Sequence, residues 1–522
     1  MIYDVGILGA GHNGLICAAY LAQAGLRVAV MERRPLIGGA VCTQEDLIAG
    51  CKIDVGSSVH IMIHLTPVLH ELSLYKYGLE YIEMDPWACY PILGEKKCIY
   101  FWRDLEKTCD SIASISPKDA RIYKKFVTHY MNLNRGIFET FLMPPTPARL
   151  GLAVLRRSFS STRKVWSSLD TLRQLMLPYR NLIEELFHHP YIKTALEWLA
   201  AQTGPAPVVA GTGNLLGWNA IIHLCGAHRA KGGSGMLTQA LGKKIAADGG
   251  DILTNFVAVD AARQENNWIV KAEDKREVRC SRLVCAMHVV SFLTQIWKDP
   301  PDALRKKVSA LRIGNGFGMI VRNLVSQLPE YTGDPSLDFL CHRGLQLLCP
   351  NQNYLLSSYL DYLAGAPPQQ PSVVAMTFSA LDPTLAPPNS HLLYTWGQWH
   401  PYRLTNGESW SHIAEREADK LYDLVCKYAP NMRGALQARF IQTPEHLSEM
   451  LALPNANVMH LEMTLDQMFF YRPCLELCAY KVPQVRNLYL TGASTHPGGG
   501  VFGASGHNTA KLILKEVGKS VT

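Results

Sequence analysis

The residues most able to do chemistry in this chain stand at its two ends. Gly9-Ala10-Gly11-His12-Asn13-Gly14 has the spacing G-x-G-x-x-G. It lies between an apolar run, Tyr3 to Leu8, and a stretch in which Leu15, Ala18, Ala19, Leu21 and Ala22 recur at helical intervals. The first glycine suits a tight turn, the second lets backbone approach a pyrophosphate, and the third lets helix and strand pack closely. The helix start offers free N–H groups and positive dipole to phosphate. Glu32 follows 18 residues after Gly14, at the end of a second strand, Arg27–Glu32. A carboxylate there binds ribose hydroxyls and disfavours a 2′-phosphate. These residues alone fit NAD as well as FAD.

Two further features separate the candidates. Glu32 runs into Arg33-Arg34-Pro35-Leu36-Ile37-Gly38-Gly39-Ala40, a second glycine pair that brings another backbone segment to the cofactor, with arginine able to approach a diphosphate. At the far end, Asn487–Ala493 reads as a strand ending at Gly492 and Ala493. Thr495-His496-Pro497-Gly498-Gly499-Gly500 follows, then a helix from about Gly503 to Lys515. A helix N-terminus beside the pyrimidine edge of an isoalloxazine stabilises negative charge on a reduced flavin. The expected cofactor is therefore FAD, held by both termini, and the expected class is oxidoreductase. Hydride transfer to a flavin needs no side-chain nucleophile, so the lack of a Ser-His-Asp or paired-carboxylate signature is in keeping. His496 is the one catalytic candidate, as a proton-transfer group beside the flavin; it serves equally well as a residue that orients backbone.

Other constellations are set aside. Fourteen cysteines are scattered with no CxxC, the nearest pair being Cys474 and Cys478, which reads as reduced, buried thiols in a reducing compartment and excludes disulfide-reductase chemistry. His60, His64 and His70 lack an acidic partner at ligand spacing, so no metal is expected. Gly211–Gly217 has the spacing G-x-G-x-x-x-G with no acid-terminated strand behind it, and reads as a glycine-rich turn of the substrate region. A net charge of +7 over 522 residues does not indicate nucleic acid. Residues 141–183 carry Arg149, Arg156, Arg157, Arg163, Lys164, Arg173 and Arg180 against Asp170 alone, interleaved with apolar residues. Such a segment can lie on an anionic membrane surface or form a solvated basic face. No apolar run reaches the roughly 18–20 residues of a membrane span, and with the first strand at Tyr3 no signal peptide is expected. The protein is expected in the cytoplasm, with peripheral membrane contact as a further expectation.

The elements that must position these residues are strand, glycine turn, helix and strand at the N-terminus, a mostly helical region from about 104 to 200, a helix followed by strands over 232–295, mixed structure over 300–460, and strand–glycine–helix at the tail. One grammar at both ends predicts a discontinuous nucleotide domain with a substrate domain inserted. The expected fold class is α/β: a glutathione-reductase-type FAD domain from 1–75, 228–295 and 470–522, with a mixed α+β and helical substrate domain from 76–227 and 296–469.

The chain resembles the phytoene-desaturase-like FAD amine-oxidase superfamily, nearest to its carotenoid-ketolase branch and to the branch named for a pyridine nucleotide-disulfide oxidoreductase domain. The likeness rests on Gly9–Leu15, Glu32–Gly39, Leu105–Cys109 through Ser116–Ala120, Lys231-Gly232-Gly233-Ser234-Gly235-Met236-Leu237, Leu381–Pro388, Leu465–Met468 and Thr495–Gly500. It implies that Gly9, Gly11, Gly14, Glu32, Arg34, Gly38 and Gly39 contact the adenosine diphosphate half. It also implies that the Val257 backbone pairs with adenine, and that Gly492 and Pro497–Gly500 lie along the ribityl chain and flavin. One departure is Ala493, where many flavoproteins have aspartate; binding there must rest on backbone N–H groups. The implied activity is oxidation of an apolar carotenoid or other isoprenoid, by desaturation or ketolation, with oxygen or a quinone as electron acceptor. An amine oxidase on the same fold, or a flavin-binding regulatory protein with little turnover, remain the alternatives.

Overall fold

The computed structural model describes residues 1–148, 151–152 and 168–520. Of the basic segment, Arg149, Arg156, Arg157, Arg163 and Lys164 lie outside the described residues. Arg173 and Arg180 lie inside and are paired, with Glu185 at 2.7 Å and with the buried Glu197 at 2.6 Å.

A five-stranded parallel sheet carries the nucleotide-binding grammar. Its strands are β1 (Val5–Leu8), β2 (Val28–Met31), β3 (Asp251–Leu253), β4 (Leu283–Cys285) and β5 (Leu488–Leu490), in spatial order β3-β2-β1-β4-β5. All four pairings are parallel. Three helices cover it: α1 (His12–Gln23), α2 (Met236–Ala247) and α3 (Ala504–Glu516). The helices lie on one face, α2 and α3 both packing on α1, and a second, four-stranded sheet covers the other, so β1 and β2 are buried at every residue rather than alternating. The Gly25 stop is seen: α1 ends at Gln23, and Gly25 takes a left-handed φ of 76°.

The expected first strand, Tyr3 to Leu8, is divided. Ile2–Tyr3 pairs with Glu277–Cys280 in a separate four-stranded sheet completed by Asn267–Ala272 and Ala258–Gln264. Asp4 makes the break; its carboxylate turns aside to accept the Arg27 backbone N–H at 2.9 Å and pairs with the guanidinium at 3.0 Å.

A seven-stranded mixed sheet forms the second half, in the order Leu436–Gln442, Gly318–Val325, His391–Gln398, Val373–Met376, Leu345–Leu348, Ala88–Pro91 and Cys98–Phe101. Within it, only the pair Leu345–Leu348 with Ala88–Pro91 is parallel. Against it stands a helical layer that includes Pro117–Phe141, Pro190–Ala201 and Gly213–Cys225. Gly213 and Gly217 therefore belong to a helix, not the turn expected at Gly211–Gly217. The reason is packing: a Cβ on Gly213 would sit 1.9 Å from the Gln174 carbonyl oxygen, and one on Gly217 would sit 2.0 Å from the Tyr130 ring. Among the described residues no helix is long and apolar enough to cross a membrane.

Candidate functional site

The expected glycine loop joins β1 to α1. A Cβ on Gly14 would lie 2.3 Å from the Gly9 carbonyl oxygen and 2.9 Å from Ala286 Cβ, so this glycine sets how closely α1 meets the sheet. Gly11 is the opposite case. It is the N-cap of α1, and a Cβ there would meet no described atom within 4 Å. No side chain caps α1 and no acid stands in its first turn. Its first N–H groups thus face an open cradle, which is what a pyrophosphate requires.

Glu32, at the end of β2, is buried. Its carboxylate accepts the Ala10 N–H and the Arg34 N–H, each at 2.9 Å. The acid thereby locks the glycine loop to its own strand end and keeps acceptor capacity for hydroxyls. Gly38 donates its N–H to the Ala10 carbonyl at 2.8 Å, which brings the second glycine pair onto the first loop. A Cβ on Gly39 would stand 3.3 Å from the Gly11 Cα. Ala40 accepts the Ser57 N–H. The Arg34 guanidinium stays at this loop, donating to Gly39 O at 3.3 Å and Gln44 Oε1 at 2.9 Å. Arg33 goes elsewhere, to the carbonyls of Glu449 and Met450 at the end of the helix Pro444–Leu451. Val257 lies near Glu32, because the neighbouring Phe256 N–H donates to the Glu32 carbonyl at 2.8 Å; its own carbonyl accepts from Glu273.

The tail motif meets this loop directly. Asn13 Oδ1 accepts the Gly506 N–H at 3.2 Å, and its amide nitrogen lies 3.0 Å from His12 Nε2. The turn after β5 is organised by Ser505, whose hydroxyl accepts the Gly492 N–H at 2.9 Å and bonds Thr491 at 2.9 Å and Thr495 at 2.7 Å. α3 begins at Gly503 with no cap from that residue and no acid in its first turn; Asn13 holds the Gly506 N–H, which leaves the N–H groups of Ala504 and Ser505 at its start. The Ala493 carbonyl is held by Arg472, from Nε at 3.0 Å and Nη2 at 2.9 Å. Arg472 is wholly buried, and among the described residues it is answered by carbonyls, including Gln467 O at 3.1 Å and that of Met459. Burial pushes its pKa down to about 9. It ties the chain over 459–467 to the turn after β5, and sequence reasoning missed it because carbonyl partners leave no side-chain pattern.

A third wall was also missed. Asp54 Oδ1 accepts from Thr43 Oγ1 and the Ser234 N–H, both at 2.8 Å, while Oδ2 pairs with Arg229 at 2.7 Å; both ions are fully buried. This ion pair joins the Lys231–Leu237 stretch to the segment that follows Gly38-Gly39. His60 adds to the join, with Nε2 2.8 Å from Ser234 Oγ and Nδ1 2.8 Å from Tyr81 OH.

His496 is buried in an aromatic setting. Its Nε2 lies 3.3 Å from the Thr140 carbonyl, and its ring stands 5.3 Å from Phe141 and 6.3 Å from Phe469. Phe502, Phe138 and Trp218 extend this wall, with Phe141 5.8 Å from Trp218 and from Phe502. Burial pushes the His496 pKa down to about 4, so the imidazole is neutral at pH 7. Burial likewise takes His60 to about 3 and His288 and His400 to about 4. Since these folded pKa values lie below the ordinary 6.5, protons bind the unfolded chain preferentially as pH falls. Stability is fully present above about pH 6.5 and is lost from there down to about pH 4. A melting profile over pH 4–8 should therefore be flat at the top and fall steeply below about pH 6; a flat profile down to pH 4 would contradict the neutral buried set.

The open cradle at the start of α1 and the Glu32 carboxylate at the end of β2 fit FAD, and with the parallel sheet they define a FAD-dependent oxidoreductase with a Rossmann-like dinucleotide-binding domain. A family profile described as NAD(P)-binding Rossmann-like domain matches residues 7–72. The chain is 31% identical over 554 residues to pyridine nucleotide-disulfide oxidoreductase domain-containing protein 2 of Mus musculus, covering 99% of this chain and 94% of the relative. It is 25% identical to one of the polypeptides of the limonene dehydrogenase of Castellaniella defragrans, covering 99% and 95%. Among solved structures, cyclohexylamine oxidase from Brevibacterium oxydans superposes with a TM-score of 0.58 at 16% identity over 99% of this chain and 100% of that one, a likeness of fold. The chain belongs to the family of pyridine nucleotide-disulfide oxidoreductase domain-containing protein 2, within the phytoene-desaturase-like FAD-dependent amine-oxidase superfamily.

Proposed function

We propose that this flavoenzyme oxidises an apolar isoprenoid-type molecule by taking a hydride from a C–H bond, and that oxygen or a quinone reoxidises it. The observation that carries the reading is the apolar setting of the Pro497–Gly500 loop. On one side stands the wall of Phe138, Phe141, Trp218, Phe469 and Phe502. Met459 and Met463 pack on Gly499 and Gly498, the latter also beside the Arg472 guanidinium, and line a cavity of about 170 Å³ with Phe317, Tyr359, Tyr362 and Trp399. The one carboxylate among the lining residues, Glu462, is paired with Arg312 at 2.9 Å, which leaves little to attract an ammonium. The likeness to an enzyme named for limonene, an isoprenoid hydrocarbon, points the same way. A carotenoid, by desaturation or ketolation, falls in the same chemical class.

Bound FAD supplies the two-electron acceptor. The chain's own part is to hold the phosphates on unclaimed N–H groups, keep water from the aromatic wall, and fix the flavin-side turn through Ser505 and Arg472. A neutral His496 of low basicity suits orientation more than proton abstraction, so the proton released goes to solvent. Collection of the substrate at an anionic membrane, by the basic stretch within 141–183, belongs to the same proposal.

The test is anaerobic mixing of the purified holoprotein with a monoterpene, a carotene in detergent, and two primary amines. Bleaching of the oxidised flavin's blue absorbance by an isoprenoid and by neither amine is expected. Bleaching by the amines alone would overturn the reading, and no bleaching by any would favour a flavin-binding protein with little turnover.

A further inference from the structure

Three cysteines distant in sequence meet on the substrate-side sheet. Cys89 lies on the strand Ala88–Pro91, Cys98 on Cys98–Phe101, and Cys341 ends the helix Pro335–Cys341. The register pairs Cys89 with Tyr100, and Cys98 lies two residues before Tyr100, so all three side chains share one face of the sheet. The helix lays Cys341 over that face. Its sulfur stands 3.8 Å from Cys98 Sγ and 3.8 Å from the Tyr100 hydroxyl, and the three sulfurs lie within 4.8 Å of one another. Cys89 and Cys341 are fully buried and Cys98 nearly so. The set is assembled by strand register and by one helix, so no linear spacing announces it.

We infer that Cys89, Cys98 and Cys341 bind a zinc ion through their three sulfurs. Zinc–thiolate bonds of about 2.3 Å in a tetrahedron place sulfurs about 3.8 Å apart, the separation seen between Cys98 and Cys341. Thiolate ligands select soft or borderline cations over magnesium or calcium. Charge decides between zinc and copper(I): three thiolates leave −1 around Zn²⁺ but −2 around Cu⁺, and the buried Asp338 nearby makes the second less favourable. Binding replaces three S–H protons by one Zn²⁺ and releases three protons to solvent. Because all three sulfurs are buried and the neighbouring Tyr100 hydroxyl is held on the Leu337 carbonyl at 3.1 Å, the site is structural and closed to substrate. It fastens the helix Pro335–Cys341 to the edge pair of the sheet, far in the chain from the glycine loops that hold FAD.

The experiment is metal analysis of the FAD-loaded protein, purified without chelator and, separately, after anaerobic incubation with zinc and removal of excess. About one zinc per chain is expected in the wild type, with less than a tenth per chain in Cys98→Ser and Cys341→Ser at unchanged flavin content. Anaerobic incubation of the wild type with cobalt(II) should give thiolate ligand-field bands in the red, where flavin does not absorb; this readout stands even if the serine variants fold poorly. Zinc below a tenth per chain in the wild type under both conditions, no cobalt bands, or zinc retained by both variants would overturn the assignment. So would a count of two fewer than the 14 free thiols in the denatured, unreduced protein, which would mark a disulfide in place of a metal.

Discussion

Gly11→Val should yield a folded protein that purifies without flavin. Gly11 has φ −66° and ψ 162°, extended backbone that a β-branched residue adopts without strain, and no described atom lies within 4 Å of its notional Cβ. The folding cost is that of a poorer N-cap, about 1 kcal/mol. What the side chain would fill is the open cradle before the uncapped start of α1. Loss of backbone contact to a diphosphate should cut FAD affinity by at least a hundredfold, about 3 kcal/mol. Gly14→Val makes the contrast. Its Cβ would meet the Gly9 carbonyl oxygen at 2.3 Å and Ala286 Cβ at 2.9 Å, so helix and sheet separate and insoluble protein is expected. The measurement is flavin absorbance per chain alongside the melting temperature. Gly11→Val should melt where the flavin-stripped wild type melts, below the holoprotein, because ligand bound only to the folded state raises the transition. A stoichiometric flavin content in Gly11→Val would mean that the diphosphate runs elsewhere.

The two ends of the chain were legible because their chemistry is local. A glycine turn between a strand and a helix carries its whole signal within about six residues, and Glu32 follows from the length of one helix and one strand. The tail loop is read the same way, and the Asn13–Gly506 contact shows how the two signals become one site. Where a residue acts across the fold, the sequence was silent. Arg472 answers carbonyls, which every residue possesses. Asp54 meets Ser234 across 180 positions. Asp4 looked like one member of an apolar strand, yet its bond to Arg27 splits that strand between two sheets. The Gly211–Gly217 spacing suggested a turn because glycine is permissive; a helix claims two of those glycines because Tyr130 and the Gln174 carbonyl need the room. The residue types alone did not separate Arg33 from Arg34, although the resemblance named Arg34; the position of the helix Pro444–Leu451 is what sends Arg33 away from the loop.

Asp54→Asn should be the most damaging single change outside the glycine loops. Asp54 and Arg229 are fully buried, and the guanidinium lies on the Phe378 ring at 4.1 Å, so water cannot replace the lost charge. Asparagine can still accept from Thr43 and Ser234 through its one oxygen, but its amide N–H groups then face the donors of Arg229. A second cation sits close by: Arg322 donates to the Asp54 carbonyl at 2.6 Å, and burial already lowers its pKa to about 10, against which Asp54 acts. Removing one partner of a buried pair costs about 3–5 kcal/mol, a large share of the roughly 5–15 kcal/mol that holds a domain folded. The melting temperature should fall on the order of 5 °C or more, and flavin should be released with it, since Asp54 joins the Thr43 and Ser234 segments to the seven-stranded sheet through Arg322. The double change Asp54→Asn with Arg229→Met separates charge from shape. If the cost is the stranded cation, the double variant should recover more than half of the single loss. Equal melting of the single and double variants would place the damage in the Thr43 and Ser234 hydrogen bonds, and an Asp54→Asn protein as stable as wild type would mean that Arg229 draws its support from elsewhere.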